Sequence, residues 1–398
     1  MDRKNAALPT LRLAILQQSY GRFGGAERLA FSHFVQLKRM RKDVCLFYSG
    51  RTSPGWDERL KNQILPIPNG IFPNSHLWRF LSELKTFDKI IIHHHVEPVL
   101  AFYLSKFLGP KIIWYSGSVF ELPWEEYITG FDYRGISPTV RRTGTEFYGR
   151  ILPKLLLSDA LYGQTVRIAR LLDIETVRGF GKILANSLFL SKFLSRVYNL
   201  KNIPRIVYPG PDPMLEQLSE EPNGPEQDYM LAVGSLIPLK NVEGVIRSAA
   251  AVRPSRVVLV GDGQESSRLK DLAIKKGVSI EFRGTSDNEA DLARAYSECK
   301  FLVHLSLYEP FGLTPVEAGL FSKPSIVTNQ GGPPEVVADG VTGFVVNPKD
   351  YTFIGSKMKM LLANDSLRRD MGQRARERIV EKFTLEKSTA RLLEEVER

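Results

Sequence analysis

Two carboxylates, Glu309 and Glu317, lie eight residues apart in the stretch Tyr308-Glu309-Pro310-Phe311-Gly312-Leu313-Thr314-Pro315-Val316-Glu317-Ala318. The residues between them read as a turn entering a helix. Thr314-Pro315-Val316-Glu317 has the spacing of a capping box, with Thr314 at the N-cap, Pro315 at the first helical position and Glu317 at the third. The free amides of such a helix end suit an anion, and Glu309 could accept hydrogen bonds from ligand hydroxyls. Together these features suit a sugar joined to a diphosphate. Capping alone, worth about 1 kcal/mol, would also account for Glu317.

Four further loops follow strand-like runs. In Ser19-Tyr20-Gly21-Arg22-Phe23-Gly24-Gly25-Ala26-Glu27-Arg28 the pair Gly24-Gly25 lets backbone approach a phosphate, although no Gly-Lys-Ser/Thr follows as in a Walker loop. After Val233-Gly234-Ser235, Lys240 is placed to neutralise a diphosphate leaving group. Gly261-Asp262-Gly263 is a tight turn without an assigned role. Gly331-Gly332-Pro333-Pro334-Glu335 offers amides to the same ligand as Glu309. His93-His94-His95 invites a metal, but successive strand residues alternate faces and no Cys or carboxylate cluster completes a site. No metal is expected, and His95 is taken as a residue that lines a cleft.

The elements that must position these groups alternate. Expected strands in the first half are Leu11–Leu16, Val44–Tyr48, Lys89–His93, Lys111–Tyr115, Ile183–Ala185 and Arg205–Tyr208. In the second half they are Tyr229–Val233, Arg256–Val260, Ser279–Phe282, Phe301–Leu305, Ser325–Thr328 and Gly343–Val346. Helical stretches separate them, which predicts an α/β protein with parallel sheets. The reading is two doubly wound domains, residues 1–212 and 228–384, facing each other across a cleft with ligand at the carboxyl ends of the strands. Residues 213–227, rich in Pro, Gly and acid, form the expected linker. Leu392, Leu393 and Val396 have helical spacing in 385–398; the sequence leaves open whether this helix packs on the body or crosses back to the first domain.

Charge is uneven. Residues 1–205 hold 30 Lys and Arg against 16 Asp and Glu, whereas residues 206–398 hold 24 against 28. Arg134 to Arg205 alone carry 13 basic and 4 acidic side chains. A solvated basic face would explain this, as would attraction to anionic lipid headgroups or a phosphate-bearing acceptor. Nucleic acid is not expected, because no helix-turn-helix, zinc or RNP-like pattern accompanies the charge. No run approaches the ~18–20 apolar residues of a membrane span. With two cysteines, Cys45 and Cys299, in apolar contexts, a reduced cytoplasmic protein is expected, peripheral on the cytoplasmic face of a membrane if it binds lipid.

In order and spacing, Glu309-x7-Glu317, Gly331-Gly332-Pro333-Pro334-Glu335 and Gly340-Val341-Thr342-Gly343-Phe344 resemble the retaining glycosyltransferases of family 4. Gly24-Gly25-Ala26-Glu27, Ala185-Asn186-Ser187, Tyr208-Pro209-Gly210-Pro211-Asp212 and Gly261-Asp262-Gly263 also fall where that family has counterparts. The resemblance covers most of the chain. It implies the GT-B fold, with two Rossmann-like domains, and metal-independent transfer of a sugar with retention. The co-substrate would be a GDP- or UDP-linked sugar, with no other cofactor. The acceptor would be a saccharide, lipid-linked or near a membrane, in glycan or polysaccharide assembly; a mannosyltransferase-like activity fits. By resemblance Glu309 would hold sugar hydroxyls and Glu317 the ribose, while Lys240, Gly24 and Gly25 would bind the diphosphate. Amides around Phe311, Gly312 and Leu313 would support sugar and phosphate, with Glu309 and Lys240 the catalytic pair. Two departures stand out. Ser235 replaces the arginine of the family's Gly-Arg-x4-Lys, with Arg22 or Arg283 the candidate substitutes. Ser116-Gly117-Ser118 replaces the histidine that usually faces the donor, leaving Ser116 to hydrogen-bond a hydroxyl. These departures motivate an alternative, a GT-B protein that binds nucleotide-sugar or a partner enzyme without turnover.

Overall fold

The computed structural model describes residues 11–18, 24–50, 60, 63–67, 75–94, 96–118, 159–221, 224–252, 256–286 and 288–398. Its first half runs β1 (Arg12–Gln18), α1 (Gly25–Arg39), β2 (Asp43–Ser49), β3 (Ile64–Pro66), α2 (Ser75–Leu84), β4 (Lys89–His93) and α3 (Pro98–Leu108). It continues with β5 (Ile112–Ser116), α4 (Asp159–Arg178), β6 (Lys182–Ala185), α5 (Leu188–Val197) and β7 (Arg205–Ile206). The second half holds α6 (Pro213–Leu218), β8 (Met230–Val233), α7 (Val242–Ala249), β9 (Arg256–Val260), α8 (Ser266–Lys276), β10 (Ser279–Gly284) and α9 (Glu289–Glu298). There follow β11 (Phe301–His304), α10 (Leu313–Leu320), β12 (Ser325–Thr328), α11 (Pro333–Val336) and β13 (Gly343–Val346). The last three helices are α12 (Tyr351–Ala363), α13 (Asp365–Lys382) and α14 (Leu385–Glu397).

The strands form two parallel sheets, ordered β3-β2-β1-β4-β5-β6-β7 and β10-β9-β8-β11-β12-β13. In both, order reverses beside the first strand of the half, between β1 and β4 and between β8 and β11. Loops diverge at such a reversal and leave a crevice at the carboxyl ends of the strands. β4 and β11 are buried along nearly their whole length, as apolar runs covered on both faces must be. The edge strand β3 escaped the sequence reading because its three residues, Ile-Leu-Pro, carry too little pattern and end in a proline that only an edge tolerates.

The segment 213–227 is not featureless: it begins with α6. Pro213 occupies the first turn, Asp212 Oδ1 accepts from the Met214 amide at 2.8 Å, and Leu215 is fully buried. At the other end α14 crosses back to the first half. Leu392, Leu393 and Val396 join the core formed by Leu13, Ile15, Phe31 and Ile91. The two crossings meet where a Cβ on Gly210 would fall 2.4 Å from the Leu385 Cα. Beside them the rings of Tyr208, Phe311 and Phe383 pack with centroids 5.2 to 5.8 Å apart.

Candidate active site

A cleft of about 830 Å³ opens between the two sheet reversals. Gly24, Gly25, Lys240, Ser235, Glu309, Phe311, Gly312, Leu313 and Glu317 all line it, so residues up to 293 positions apart in sequence converge there.

Glu309 follows β11 and is nearly buried. Lys240 Nζ lies 2.6 Å from its Oε2, and His304 Nε2, from the last residue of β11, lies 3.2 Å from the same oxygen. Burial alone would raise the Glu309 pKa; the Lys240 ammonium, then the His304 contact, outweigh it and hold the carboxyl at about 2. The group is therefore an anion at any ordinary pH. Among the described residues its Oε1 has no hydrogen-bond partner, so one carboxylate oxygen is fixed and the other is available to a ligand hydroxyl. His304 is itself oriented by the Thr314 hydroxyl, 3.0 Å from Nδ1.

That contact corrects the expected capping box. The N-cap is Gly312, at φ 101°, a left-handed conformation that only glycine adopts without strain; it lets the chain turn directly into α10 at Leu313. Thr314 sits inside the first turn, and its hydroxyl serves His304 instead of the backbone. Pro315 is the third helical residue, where the missing N–H removes no intrahelical bond. The amides of Leu313 and Thr314 remain for a ligand. Glu317, too far along to reach the N-cap, turns inward and accepts from the Tyr296 hydroxyl at 2.6 Å. Burial raises its pKa against the pull of Tyr296 and of Arg28.

The second glycine pair is not among the residues lining the cleft. The Gly332 amide donates to the Glu309 carbonyl at 2.9 Å, and a Cβ on Gly331 would fall 2.0 Å from that same oxygen. Gly331 and Gly332 instead form the bed on which the Glu309-Pro310 backbone rests. Glu335 reaches away, accepting from the Leu188 and Phe189 amides, each at 2.8 Å, and from the Tyr208 hydroxyl. The first-half helix α5 is thus capped from the second half. Gly261 and Gly263 likewise pack against backbone, the carbonyls of Gly234 and Leu236.

At the first-half rim, Gly24 precedes α1 and its amide is already occupied by the Glu27 carboxylate at 3.0 Å. The first-turn amides of Gly25 and Ala26 are left. A Cβ on Gly25 would come 3.3 Å from Leu313 Cδ1, so the N-termini of α1 and α10 face each other across the cleft.

Two expected cleft residues fall elsewhere. Ser116 is fully buried and its hydroxyl donates to the Ser118 carbonyl at 2.6 Å, so its neighbours Gly117 and Ser118 line the cleft in its place. Arg283 lies outside, held by Glu281 at 2.8 Å and stacked on Tyr229. His95 lies outside the described residues, as does Arg22, but His93 and His94 both line the cleft. His93 turns inward to His33, Nε2 to Nδ1 at 3.0 Å, and His33 Nε2 meets the Ser388 hydroxyl at 2.9 Å.

His94 is the more informative. Its φ is 59°, left-handed for a non-glycine residue, and it is held there by its amide on the Tyr115 carbonyl and by the Trp114 indole on its own carbonyl. The imidazole lies where a side chain at Gly117 would stand, with a Cβ there falling 2.4 Å from Nδ1. Burial lowers its pKa to about 4, keeping it neutral. A histidine thus occupies the space above residue 117 although it follows β4 and not β5. The signal was present in sequence as His94 and Gly117 at the ends of neighbouring strands; the strained backbone that joins them was not. Arg28, also missed, lines the cleft one turn into α1.

No group of three or more His, Cys, Asp or Glu able to hold a metal occurs among the described residues, and no helix there is long and apolar enough to cross a membrane.

Two doubly wound parallel sheets with their reversal points facing across one cleft define the GT-B class of sugar transferases. Residues 215–378 match the family of glycosyl transferases group 1. It is 35% identical to N-acetyl-alpha-D-glucosaminyl L-malate synthase of Bacillus anthracis over 50% of this chain and 51% of that protein. It is 24% identical to alpha-1,3/1,6-mannosyltransferase ALG2 of Dictyostelium discoideum over 94% and 95%. The alignment spans about half the length of the bacterial relative. The crystal structure of Anabaena Alr3699/HepE in complex with UDP superposes with a TM-score of 0.73 at 16% identity, covering 97% of this chain and 100% of that one.

Proposed function

We propose that the chain is a retaining glycosyltransferase that moves a sugar from a nucleotide-sugar to a saccharide acceptor without a metal. The observation that carries the reading is the Glu309 carboxylate, held ionised by Lys240 and His304 beside the free N-terminus of α10. Glu309 Oε1 accepts from sugar hydroxyls, Glu317 from the ribose, and the amides of Leu313 and Thr314 meet the diphosphate. The acceptor oxygen bonds to the anomeric carbon on the face from which the diphosphate departs with its electron pair, and the hydroxyl proton passes to the departing phosphate oxygen. Lys240 and the helix amides offset the charge that develops there. UDP bound by the Anabaena protein supports a nucleoside diphosphate as the leaving group, and the mannosyltransferase relative supports a saccharide acceptor.

Donor hydrolysis and transfer assayed with UDP-, GDP- and ADP-sugars, with Glu309→Ala as control, test the reading. Turnover that the variant lacks supports it. Nucleotide binding without turnover, whatever donor and lipid-linked acceptor are supplied, would establish the non-catalytic alternative. A lipid-linked acceptor fits the basic first half and the exposed Trp78 and Phe107 rings, 5.2 Å apart and close to Lys106. Binding to anionic vesicles that weakens with salt is expected; equal binding to neutral vesicles would remove the membrane from the proposal.

A further inference from the structure

The family pattern loses a cation at Ser235, and the residue named above as a substitute within the described chain, Arg283, is committed outside the cleft. Arg28 and Lys240 are the only Lys or Arg among the described residues lining the cleft. Lys240 is matched by Glu309 at 2.6 Å. Arg28 is not matched: among the described residues no carboxylate forms an ion pair with it, and its Nε is buried without an acceptor. A buried polar group left without a partner is rare in folded proteins and calls for one, such as a water or a bound anion.

Its position follows from α1. Glu27 turns back to the Gly24 amide, so the next residue projects from the first turn on a different side, toward the cleft. From there its charge reaches the other half of the molecule. Arg28 opposes the rise that burial imposes on both Glu317 and Tyr296. It therefore shares the cleft with Gly25, Ala26 and the carboxylate assigned to the ribose.

We propose that Arg28 binds the diphosphate of the donor, replacing the cation absent at Ser235 from the opposite wall of the cleft. The assignment rests on the transferase reading given above. A guanidinium forms two parallel hydrogen bonds with phosphate oxygens, a geometry that an ammonium does not reproduce. Because Arg28 belongs to the first half and Glu317 to the second, one nucleotide would touch both walls, and diphosphate binding would draw them together.

Calorimetric titration of the full chain tests this, using UDP, GDP and ADP and the matching nucleosides, with wild type, Arg28→Ala and Arg28→Lys. Thermal melting confirms that the variants fold. Arg28→Ala should weaken diphosphate binding about tenfold or more, the loss of a charge-assisted hydrogen bond, while nucleoside affinity stays within about twofold. Arg28→Lys should recover part of the loss, and the salt dependence of diphosphate binding should flatten in Arg28→Ala. Equal weakening of nucleoside and diphosphate would place Arg28 on the ribose or in the fold and overturn the assignment, as would unchanged diphosphate affinity. A wild-type chain that binds no nucleoside diphosphate would overturn the transferase reading itself.

Discussion

Lys240 and Glu309 share one short contact, Nζ to Oε2 at 2.6 Å, that ties the loop after β8 to the loop after β11 across the reversal point of the second sheet. Lys240 keeps Glu309 ionised, and each would meet a different end of the donor. Glu309→Gln and Lys240→Ala should each lower kcat/KM by about 10² to 10³, the range for removing one charge-stabilising group. The double variant should be little worse than either single one, since the two act as a unit. Steady-state kinetics with the preferred donor measure this, and additive losses would mean that they work separately. The acid limb of the rate profile should not report Glu309, which stays ionised down to about pH 2.

Gly117→Ala probes the imidazole above it. The new methyl would fall 2.4 Å from His94 Nδ1 and displace the ring. Loss of one sugar hydrogen bond corresponds to about tenfold in kcat/KM. His94→Asn, a residue that tolerates the left-handed backbone, should show the same loss with little change in melting temperature. Combining the two should add nothing. Full activity in Gly117→Ala would show that the His94 ring does not touch the substrate.

Acid should weaken the fold before it titrates Glu309. His33, His93 and His94 are neutral inside the protein because burial lowers their pKa, to about 3 for His33 and about 4 for His94. The unfolded chain protonates them near 6.5. Their contribution is complete above that value and is lost as pH falls from it through the folded values, at up to about 1.4 kcal/mol per pH unit for each group. Glu97 and Glu317, raised chiefly by burial, oppose this slope just above the ordinary carboxylate range. Urea unfolding between pH 7.5 and pH 5 should show stability falling with pH, and His33→Gln should flatten the fall. An unchanged slope in the variant would exclude His33 from the linkage.

Glu335 should matter to stability more than to chemistry. It satisfies the first two amides of α5 and the Tyr208 hydroxyl from across the molecule. Glu335→Ala should cost about 1–2 kcal/mol, the value of a charged helix cap, with a lower melting temperature and nucleotide affinity nearly intact. A loss of nucleotide binding at unchanged stability would return this residue to the ligand site.

The sheets were legible because β-branched runs bounded by helical periodicity leave few alternatives, and Lys89–His93, Arg256–Val260, Ser325–Thr328 and Gly343–Val346 coincide with the expected segments. Residues lying on a shared motif, such as Glu309 and Glu317, were legible as well. What escaped depends on backbone geometry or on partners distant in sequence. The left-handed Gly312 moved the start of α10 forward and released Thr314 to His304. Gly331 and Gly332 looked like ligand loops because a glycine required by a phosphate and one required by a neighbouring carbonyl read alike. His94 needed its unusual φ to be recognised, and Arg28 needed the opposite wall of the cleft.

The return of α14 gives the molecule a nested organisation. Ser388, Leu392 and Val396 complete the first half's core, so that half is encoded by two separated stretches with the other inserted between them. A fragment ending at residue 212 would lack part of its own interior and should aggregate. Exchanging donor preference between relatives would accordingly require splicing an internal cassette at two junctions, near Gly210 and near Leu385, rather than grafting a new carboxyl-terminal portion. Both junctions touch each other, so the cassette enters and leaves through a single point, and a foreign one must match its host there and at the α5 amides that Glu335 caps.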